Sequence, residues 1–166
     1  MSKTDDTHIT IGMQGYIDKN NRYLAKRKQY IEKTVKKWKF DTIAVHGLYS
    51  TEDALTDYQG AIIEPIFMSS SQGYTDSDEM AAALAYKIPT WCYSRIANPS
   101  TYYYEWALAL MEGYGFEGDT SCCSTSSGMS AIMTAVQPFF KVRDSKDEPR
   151  NFVATAHCYG GTFQQF

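Results

Sequence analysis

The sequence predicts an α/β fold, because strands, loops and helices alternate in its second half. Residues 120–123 are apolar enough for a buried strand, residues 124–130 form a turn of small residues, and residues 131–136 begin a helix. Residues 151–155 are typical of another strand, which ends in a loop at residues 157–162. Loops at strand ends are where α/β proteins hold ligands, so both loops are candidate binding positions.

Composition and charge limit the classes of protein to consider. The 166 residues suit one domain or a piece of a larger protein, and 43% apolar residues with 13 Tyr, 8 Phe and 3 Trp support a packed core. Residues 1–40 carry ten Lys/Arg against four Asp/Glu, whereas residues 41–166 carry six against fifteen. The basic end is therefore a separate feature, and the charge of the remainder argues against a nucleic-acid-binding surface.

The cysteines and the N-terminus predict a cytoplasmic protein. Four cysteines without a CxxC pair, and without a preceding signal peptide, indicate free thiols in a reducing compartment: Cys92, Cys122, Cys123 and Cys158. No apolar run approaches membrane-spanning length. His157 and Cys158 are adjacent and have no further cluster, so no metal site is predicted. The GxGxxG, Walker A and GxSxG fingerprints of nucleotide-binding proteins and serine hydrolases are absent.

In the N-terminal segment, residues 1–40, the sequence predicts a mobile arm over residues 1–20 and a basic amphipathic helix over residues 21–39. Apolar side chains recur on one helical face, which Arg27 and Lys28 interrupt. Such a helix can meet a membrane, an RNA or an acidic protein surface. Because the rest of the chain is acidic, we favour packing against the same protein or a partner subunit.

The following segment, residues 41–90, carries no evident chemistry. Pro65 interrupts the apolar stretch at residues 60–71, which predicts an extended segment that crosses a surface. Residues 76–86 predict a short helix with Asp76 or Ser77 as its N-cap.

Tyr93 and Arg95 are candidate anion-binding residues. They stand two positions apart in a stretch predicted to be extended, so both side chains project to one side. A phenol beside a guanidinium suits a phosphate dianion, while a surface arginine paired with an acidic neighbour is the alternative. After Pro99, either Ser100 or Thr101 can cap a helix that runs to Gly113.

The turn at residues 124–130 is the second candidate anion site. A small-residue turn that leads into a helix leaves unpaired backbone N–H groups at the positive end of the helix dipole, which favours a phosphate or carboxylate. In the later loop, Tyr159 precedes two glycines and can lie flat over a planar ring, although ordinary loop packing explains it equally well.

Taken in order, these segments resemble the Cys/Met-metabolism family of pyridoxal-phosphate (PLP) enzymes, which includes cystathionine γ-synthase, methionine γ-lyase and O-acetylhomoserine sulfhydrylase. The resemblance covers roughly residues 41–166 and is strongest in Tyr93-Ser94-Arg95-Ile96-Ala97-Asn98-Pro99-Ser100, Ser127-Gly128-Met129-Ser130 and Tyr159-Gly160-Gly161-Thr162. It implies a fold-type-I PLP-dependent transferase, like aspartate aminotransferase. Residues 1–40 would be an N-terminal arm, residues 41–90 an extended inter-subunit segment, and residues 91–166 an incomplete large PLP-binding domain.

The resemblance also implies roles for individual residues. The backbone N–H groups of Gly128 and Met129, with Ser127 beside them, would bind the cofactor phosphate. Tyr93 and Arg95 would come to the same phosphate from a neighbouring subunit. Tyr159 would stack on the pyridine ring and act catalytically by assisting proton transfer or the departure of the leaving group. The active site would thus span a dimer, within a homotetramer built as a dimer of dimers.

Three departures from the family pattern matter. Ser100 stands where the family has Thr, and Gly161 stands where methionine γ-lyases carry Cys. The family's Schiff-base lysine follows the Tyr-Gly-Gly-Thr loop, whereas Lys141 and Lys146 precede it in a charged loop. We therefore expect the N-terminal part of an enzyme that performs γ-elimination or γ-replacement on homoserine-, cystathionine- or methionine-like substrates, inactive as this chain alone. The alternative is a non-catalytic fragment that associates with a full-length partner.

Overall fold

A computed structural model describes residues 9–88, 91–139 and 153–165. The chain divides into two compact units, Met1–Cys122 and Cys123–Phe166. The α-helices of the first unit are α1 (Ile11–Lys33), α2 (Phe40–His46), α3 (Thr51–Thr56), α4 (Ser77–Leu84) and α5 (Pro99–Glu112). Those of the second are α6 (Gly128–Val136) and α7 (Gly160–Gln165). Short 3-10 turns occupy Val35–Lys37 and Gln137–Phe139.

Helix α1 begins at Ile11, well before the start at Asn21 that the sequence predicted. Thr10 is its N-cap and accepts a hydrogen bond from the Met13 amide at 3.1 Å, so the prediction of a mobile arm is wrong from Ile11 onward. Met13 is buried against a small apolar cluster that includes Ala82 and Ala83 of α4. This packing outweighs the low helix propensity of the two glycines in the first turns of α1.

The basic helix packs on its own chain, as the sequence indicated. Arg27, which interrupts the apolar face, is buried and donates from Nη1 to both carboxylate oxygens of Asp53, at 2.7 and 2.6 Å. Asp53 also accepts from the Ser50 amide at 2.8 Å, and its own amide donates to Ser50 Oγ at 3.1 Å. This capping box starts α3, so one carboxylate joins the end of α1 to the beginning of α3.

The main hydrophobic core of the first unit consists of buried side chains from α1, α2, α3 and α5 and from the segments that join the first three of these helices. Tyr103 of α5 packs edge-on against Tyr49, with ring centres 5.5 Å apart. Eight buried residues form this cluster: Ile31, Val35, Ile43, Leu48, Tyr49, Ala54, Tyr103 and Leu110. The helix predicted at residues 76–86 is confirmed as α4, with Asp76 as its N-cap.

The prediction of strands is not met in the described part of the chain. Residues 120–123 and 153–155 do not form strands, and residues 151–152 lie outside the described ranges. The β pairing that the structure does contain is an isolated antiparallel bridge between Ser71 and Tyr93. An apolar segment becomes a strand only when a neighbouring strand pairs with its backbone, and local sequence does not supply that neighbour.

Most of the apolar side chains that the structure describes in the second unit are exposed. Helices α6 and α7 contain no buried residue among those described. Val153 is 99% exposed and Phe163 is 73% exposed. Within the described ranges, no helix of either unit is long and apolar enough to cross a lipid bilayer.

Candidate functional site

Tyr93 and Arg95 lie together, but in a turn rather than in the predicted extended stretch. The amides of Ile96 and Ala97 both donate to the Tyr93 carbonyl, at 2.8 and 3.0 Å, which closes the turn. Arg95 Cζ lies 4.8 Å from the centre of the Tyr93 ring. Both side chains are exposed, and no carboxylate pairs with Arg95 among the described residues. The pair is therefore open to an external anion.

Ser94, between these two residues, ties the turn to a distant segment. Its amide donates to the Ser70 carbonyl at 3.0 Å, and its hydroxyl donates to the Ser69 carbonyl. The bridge between Ser71 and Tyr93 extends the same contact. The segment 69–71, which lies before α4 in the sequence, thus forms a support for the turn that follows α4.

Asn98 is the N-cap of α5, whereas the sequence predicted Ser100 or Thr101 in that role. Its Oδ1 accepts from the Ser100 amide at 2.9 Å, and Pro99 takes the first helical position. Asn and Ser are about equally good caps and Thr is slightly weaker, but an Asn-Pro pair starts a helix with both the cap and the fixed φ in place. The Ser100 hydroxyl instead accepts from the Phe67 amide at 2.9 Å.

The predicted anion turn of the second unit leads directly into α6. Ser127 is the N-cap and accepts from the Ser130 amide at 3.2 Å. Helix geometry leaves the N–H groups of Gly128 and Met129 without an intrahelical acceptor. A Cβ added at Gly128 would meet nothing within 4 Å, so a ligand can approach this backbone closely. These features fit a phosphate at the positive end of the helix.

The loop that carries Tyr159 contacts the same turn. Thr162 Oγ1 lies 3.4 Å from Met129 Sδ. The Tyr159 side chain is 77% exposed, and its carbonyl accepts from the Phe163 amide at 3.0 Å, which starts α7. The second unit therefore brings together two predicted elements that are well separated in sequence. Sequence reasoning did not identify Thr162 as the residue that joins them.

The remaining candidates give no further site. Lys141 and Lys146 lie outside the described residues. The described part of the chain contains no group of three or more His, Cys, Asp or Glu that could hold a metal ion. A cavity of about 300 Å³ lies between α1 and α5, bordered by Arg27 and Trp106, and neither Tyr93 nor Arg95 lines it.

Comparison with known proteins matches this chain to one enzyme family and to individual relatives from yeasts. The sequence model of a family described as Cys/Met metabolism PLP-dependent enzymes matches residues 41–166. A homocysteine/cysteine synthase from Kluyveromyces lactis is 32% identical over 127 residues, which is 76% of this chain and 26% of the relative. A homocysteine synthase from Schizosaccharomyces pombe is 30% identical over 127 residues, with the same two coverages of 76% and 26%.

A bacterial relative gives a similar match. The O-acetyl-L-homoserine sulfhydrylase 1 of Thermus thermophilus is 30% identical over 128 residues, which is 77% of this chain and 27% of the relative. The chain thus spans about a quarter of the length of the curated relatives that it matches. No solved structure gives a significant match.

Proposed function

The chain belongs to the Cys/Met metabolism PLP-dependent enzyme family, and we propose from this premise that it forms the N-terminal part of an enzyme of sulfur amino-acid metabolism. The reaction would be γ-replacement or γ-elimination on a homoserine-, cystathionine- or methionine-like substrate. The relatives' names, homocysteine synthase and O-acetyl-L-homoserine sulfhydrylase, favour γ-replacement by a sulfur nucleophile. The family match also implies a fold-type-I architecture, of which the described residues contain helical parts.

The contact between Thr162 and Met129 supports this proposal, because it joins the candidate phosphate-binding turn to the loop that carries the exposed ring of Tyr159. The N–H groups of Gly128 and Met129, with the Ser127 hydroxyl, would bind the cofactor phosphate. Tyr159 would cover the face of the cofactor ring and move a proton at its hydroxyl. Bound PLP supplies the aldehyde and the electron-withdrawing ring that this chemistry needs.

We propose that Tyr93 and Arg95 complete the phosphate site of a neighbouring subunit. Their side chains are exposed and adjacent, and the segment that supports them leads from a strongly apolar surface. Ile62 and Met68 are 92% and 93% exposed, and Ile63 and Ile66 are exposed as well. A surface of this kind marks a protein–protein contact, which suits the expected inter-subunit segment at residues 41–90 and a dimer-of-dimers assembly.

We further propose that this chain alone is inactive, since residues 160–166 contain no lysine that could form the family's Schiff base. The four cysteines form no disulfide bond, which fits a reducing cytoplasmic location. The second candidate function is a non-catalytic fragment that associates with a full-length partner. The absence of buried residues from the described parts of α6 and α7 supports this alternative, because contact with another protein would bury their exposed apolar side chains.

Borohydride reduction in the presence of PLP, followed by peptide mapping, tests the proposal. We expect no lysine of this chain alone to be labelled stoichiometrically at one equivalent of PLP, and one stoichiometrically labelled lysine in a longer product of the same reading frame. Stoichiometric labelling of the chain alone at Lys141 or Lys146 would overturn the assignment of the missing lysine. If neither product binds PLP, the enzyme proposal fails and the fragment proposal is tested by co-purification with the full-length enzyme.

A further inference from the structure

The turn that carries Tyr93 and Arg95 is attached to the rest of the chain through Ser94, the residue between them. Tyr93 and Arg95 point to solvent, while Ser94 between them makes its hydrogen bonds to the chain. The direction of the two exposed side chains therefore depends on how firmly Ser94 is held.

Asn98 holds Ser94 and the supporting segment at once. Its Nδ2 donates to Ser94 Oγ at 3.0 Å and to the Phe67 carbonyl at 3.1 Å. Its Oδ1 accepts from the Ser100 amide at 2.9 Å. The residue is only 8% exposed, so these hydrogen bonds are shielded from competing water.

As a result, both the carbonyl and the amide of Phe67 make hydrogen bonds to side chains at the start of α5. Its carbonyl accepts from Asn98, and its amide donates to Ser100 Oγ at 2.9 Å. A side-chain amide supplies the two donors and the acceptor that this arrangement requires, whereas a carboxylate supplies acceptors alone. Asn98 thus fixes the turn, the start of α5 and the segment at residues 67–71 relative to one another.

We propose that Asn98 is a positioning residue for the cofactor phosphate. Through Ser94, it sets the direction in which Tyr93 and Arg95 meet a phosphate held by a neighbouring subunit. This inference rests on the proposed function, because it takes the Tyr93–Arg95 pair as part of the phosphate site. Asn98 itself does not contact the cofactor.

Two variants separate this role from simple helix capping. Asn98→Asp keeps the acceptor for the Ser100 amide, and so keeps the cap, but loses both donated hydrogen bonds. Ser94→Ala keeps Asn98 but removes the hydroxyl, and with it the hydrogen bonds to Asn98 Nδ2 and to the Ser69 carbonyl, while Ser94→Thr restores that hydroxyl. Asp76→Ala is the matched control, because it removes the N-cap of α4, which lies outside this network.

The experiment uses the holoenzyme assembled from the full-length protein. PLP retention is measured by dialysis, the ³¹P resonance of bound PLP by NMR, and deuterium uptake of residues 93–97 by mass spectrometry. We expect Asn98→Asp and Ser94→Ala to weaken retention roughly tenfold, to shift the ³¹P resonance and to speed exchange in the turn. Ser94→Thr should recover most of the retention.

The outcomes distinguish this inference from the function on which it rests. If Arg95→Ala releases PLP and Asn98→Asp and Ser94→Ala do not, Asn98 is not a positioning residue and the proposed site stands. If Arg95→Ala also leaves retention unchanged, the assignment of the Tyr93–Arg95 pair fails. If Asp76→Ala loses PLP to the same extent, the effect is one of general stability and the inference is overturned. Should Asn98→Asp not fold, Ser94→Ala and Ser94→Thr decide the question.

Discussion

Arg27 Nη1 lies 2.7 Å from Oδ1 and 2.6 Å from Oδ2 of Asp53, and both side chains are more than nine-tenths buried. Arg27 precedes the family match, which begins at residue 41, and Asp53 lies within it. Burial lowers the pKa of Arg27, but the hydrogen bonds to Asp53, together with charge interactions with Tyr23, Asp53 and Tyr103, outweigh it and the net pKa is raised, so the guanidinium stays charged. The N-terminal extension is therefore an integral part of the first unit.

Removing one charge of this pair should cost stability. We expect Asp53→Asn to lower the free energy of unfolding by about 3 kcal/mol, because it leaves a buried guanidinium without a counter-ion. Arg27 Nε and Nη2 already lack hydrogen-bond partners among the described residues. The double variant Arg27→Met/Asp53→Asn should therefore return to within about 1 kcal/mol of the wild type in urea unfolding.

The neighbouring ion pair provides the control. Lys26 pairs with Glu52, and each directly precedes a member of the buried pair, but both side chains are more than half exposed. Lys26→Met should change the free energy of unfolding by less than about 1 kcal/mol. Equal losses for Lys26→Met and Asp53→Asn would contradict the importance of burial.

Arg95→Ala should weaken PLP retention in the full-length oligomer by about tenfold to a hundredfold, because a charged hydrogen bond to the phosphate is lost. Equilibrium dialysis of the holoenzyme measures this directly. Arg22→Ala removes an exposed arginine from α1 and should leave retention unchanged. Unchanged retention in Arg95→Ala would refute its assignment to the phosphate.

Gly161→Ala should displace the Tyr159 ring. A Cβ at this position would lie 2.9 Å from Tyr159 Cε1 and 3.5 Å from Met129 Sδ. Because the ring is exposed and free to move, we expect weaker PLP binding with a change in unfolding free energy below about 0.5 kcal/mol. Gly160→Ala is the matched control, since a Cβ there meets nothing within 4 Å. Equal PLP affinities for the two variants would show that the ring position does not matter.

The hydrogen bond from Tyr16 Oη to Asp76 Oδ2, 2.6 Å long, should give stability a defined pH window. This bond lowers the pKa of Asp76 below its ordinary value of 3.8, and it raises the pKa of Tyr16 from 10.0 to about 12. The Asp76 contribution is complete above pH 3.8 and is lost as the pH falls through the lowered pKa. The Tyr16 contribution is complete below pH 10.0 and is lost as the pH rises through about 12.

Tyr16→Phe tests this window. The difference in unfolding free energy between this variant and the wild type should be largest between the two titrations and shrink on either side of them. Denaturant unfolding over a pH series measures it, with Tyr104→Phe, an exposed tyrosine of α5, as control. A difference that is constant with pH would mean that the bond does not couple the two ionisations.

Local sequence signals predicted the parts of the site that depend on neighbouring residues. The Asp76 cap of α4 and a helix after the turn at residues 124–130 were predicted, because a short polar side chain before an apolar helix needs no distant partner. The sequence began that second helix at residue 131, whereas α6 begins at Gly128 with Ser127 as its cap. The meeting of Tyr93 with Arg95 was also predicted, but from an extended geometry that is wrong. Their turn is stabilised by Ser69 and Ser70, and no local pattern reveals a contact between segments on either side of α4.

Distant contacts also explain the other differences. Helix α1 extends to Ile11 because Met13 packs on α4, which is separated from it in sequence by α2 and α3. The interruption of the apolar face by Arg27 was visible in the sequence, but the burial of Arg27 and its partner, Asp53, were not. Residues 120–123 have strand composition, but a strand also requires a neighbour to pair with its backbone.

The uncovered side chains of Val153 and Phe163 bear on the fate of the chain in a cell. Chaperones and proteases act on polypeptides that display such apolar surface, so a chain that stays uncovered is removed by quality control. The cellular abundance of the polypeptide therefore reports how much of it is bound to another protein. The cellular level of this polypeptide should follow the supply of whatever protein surface shelters its second unit.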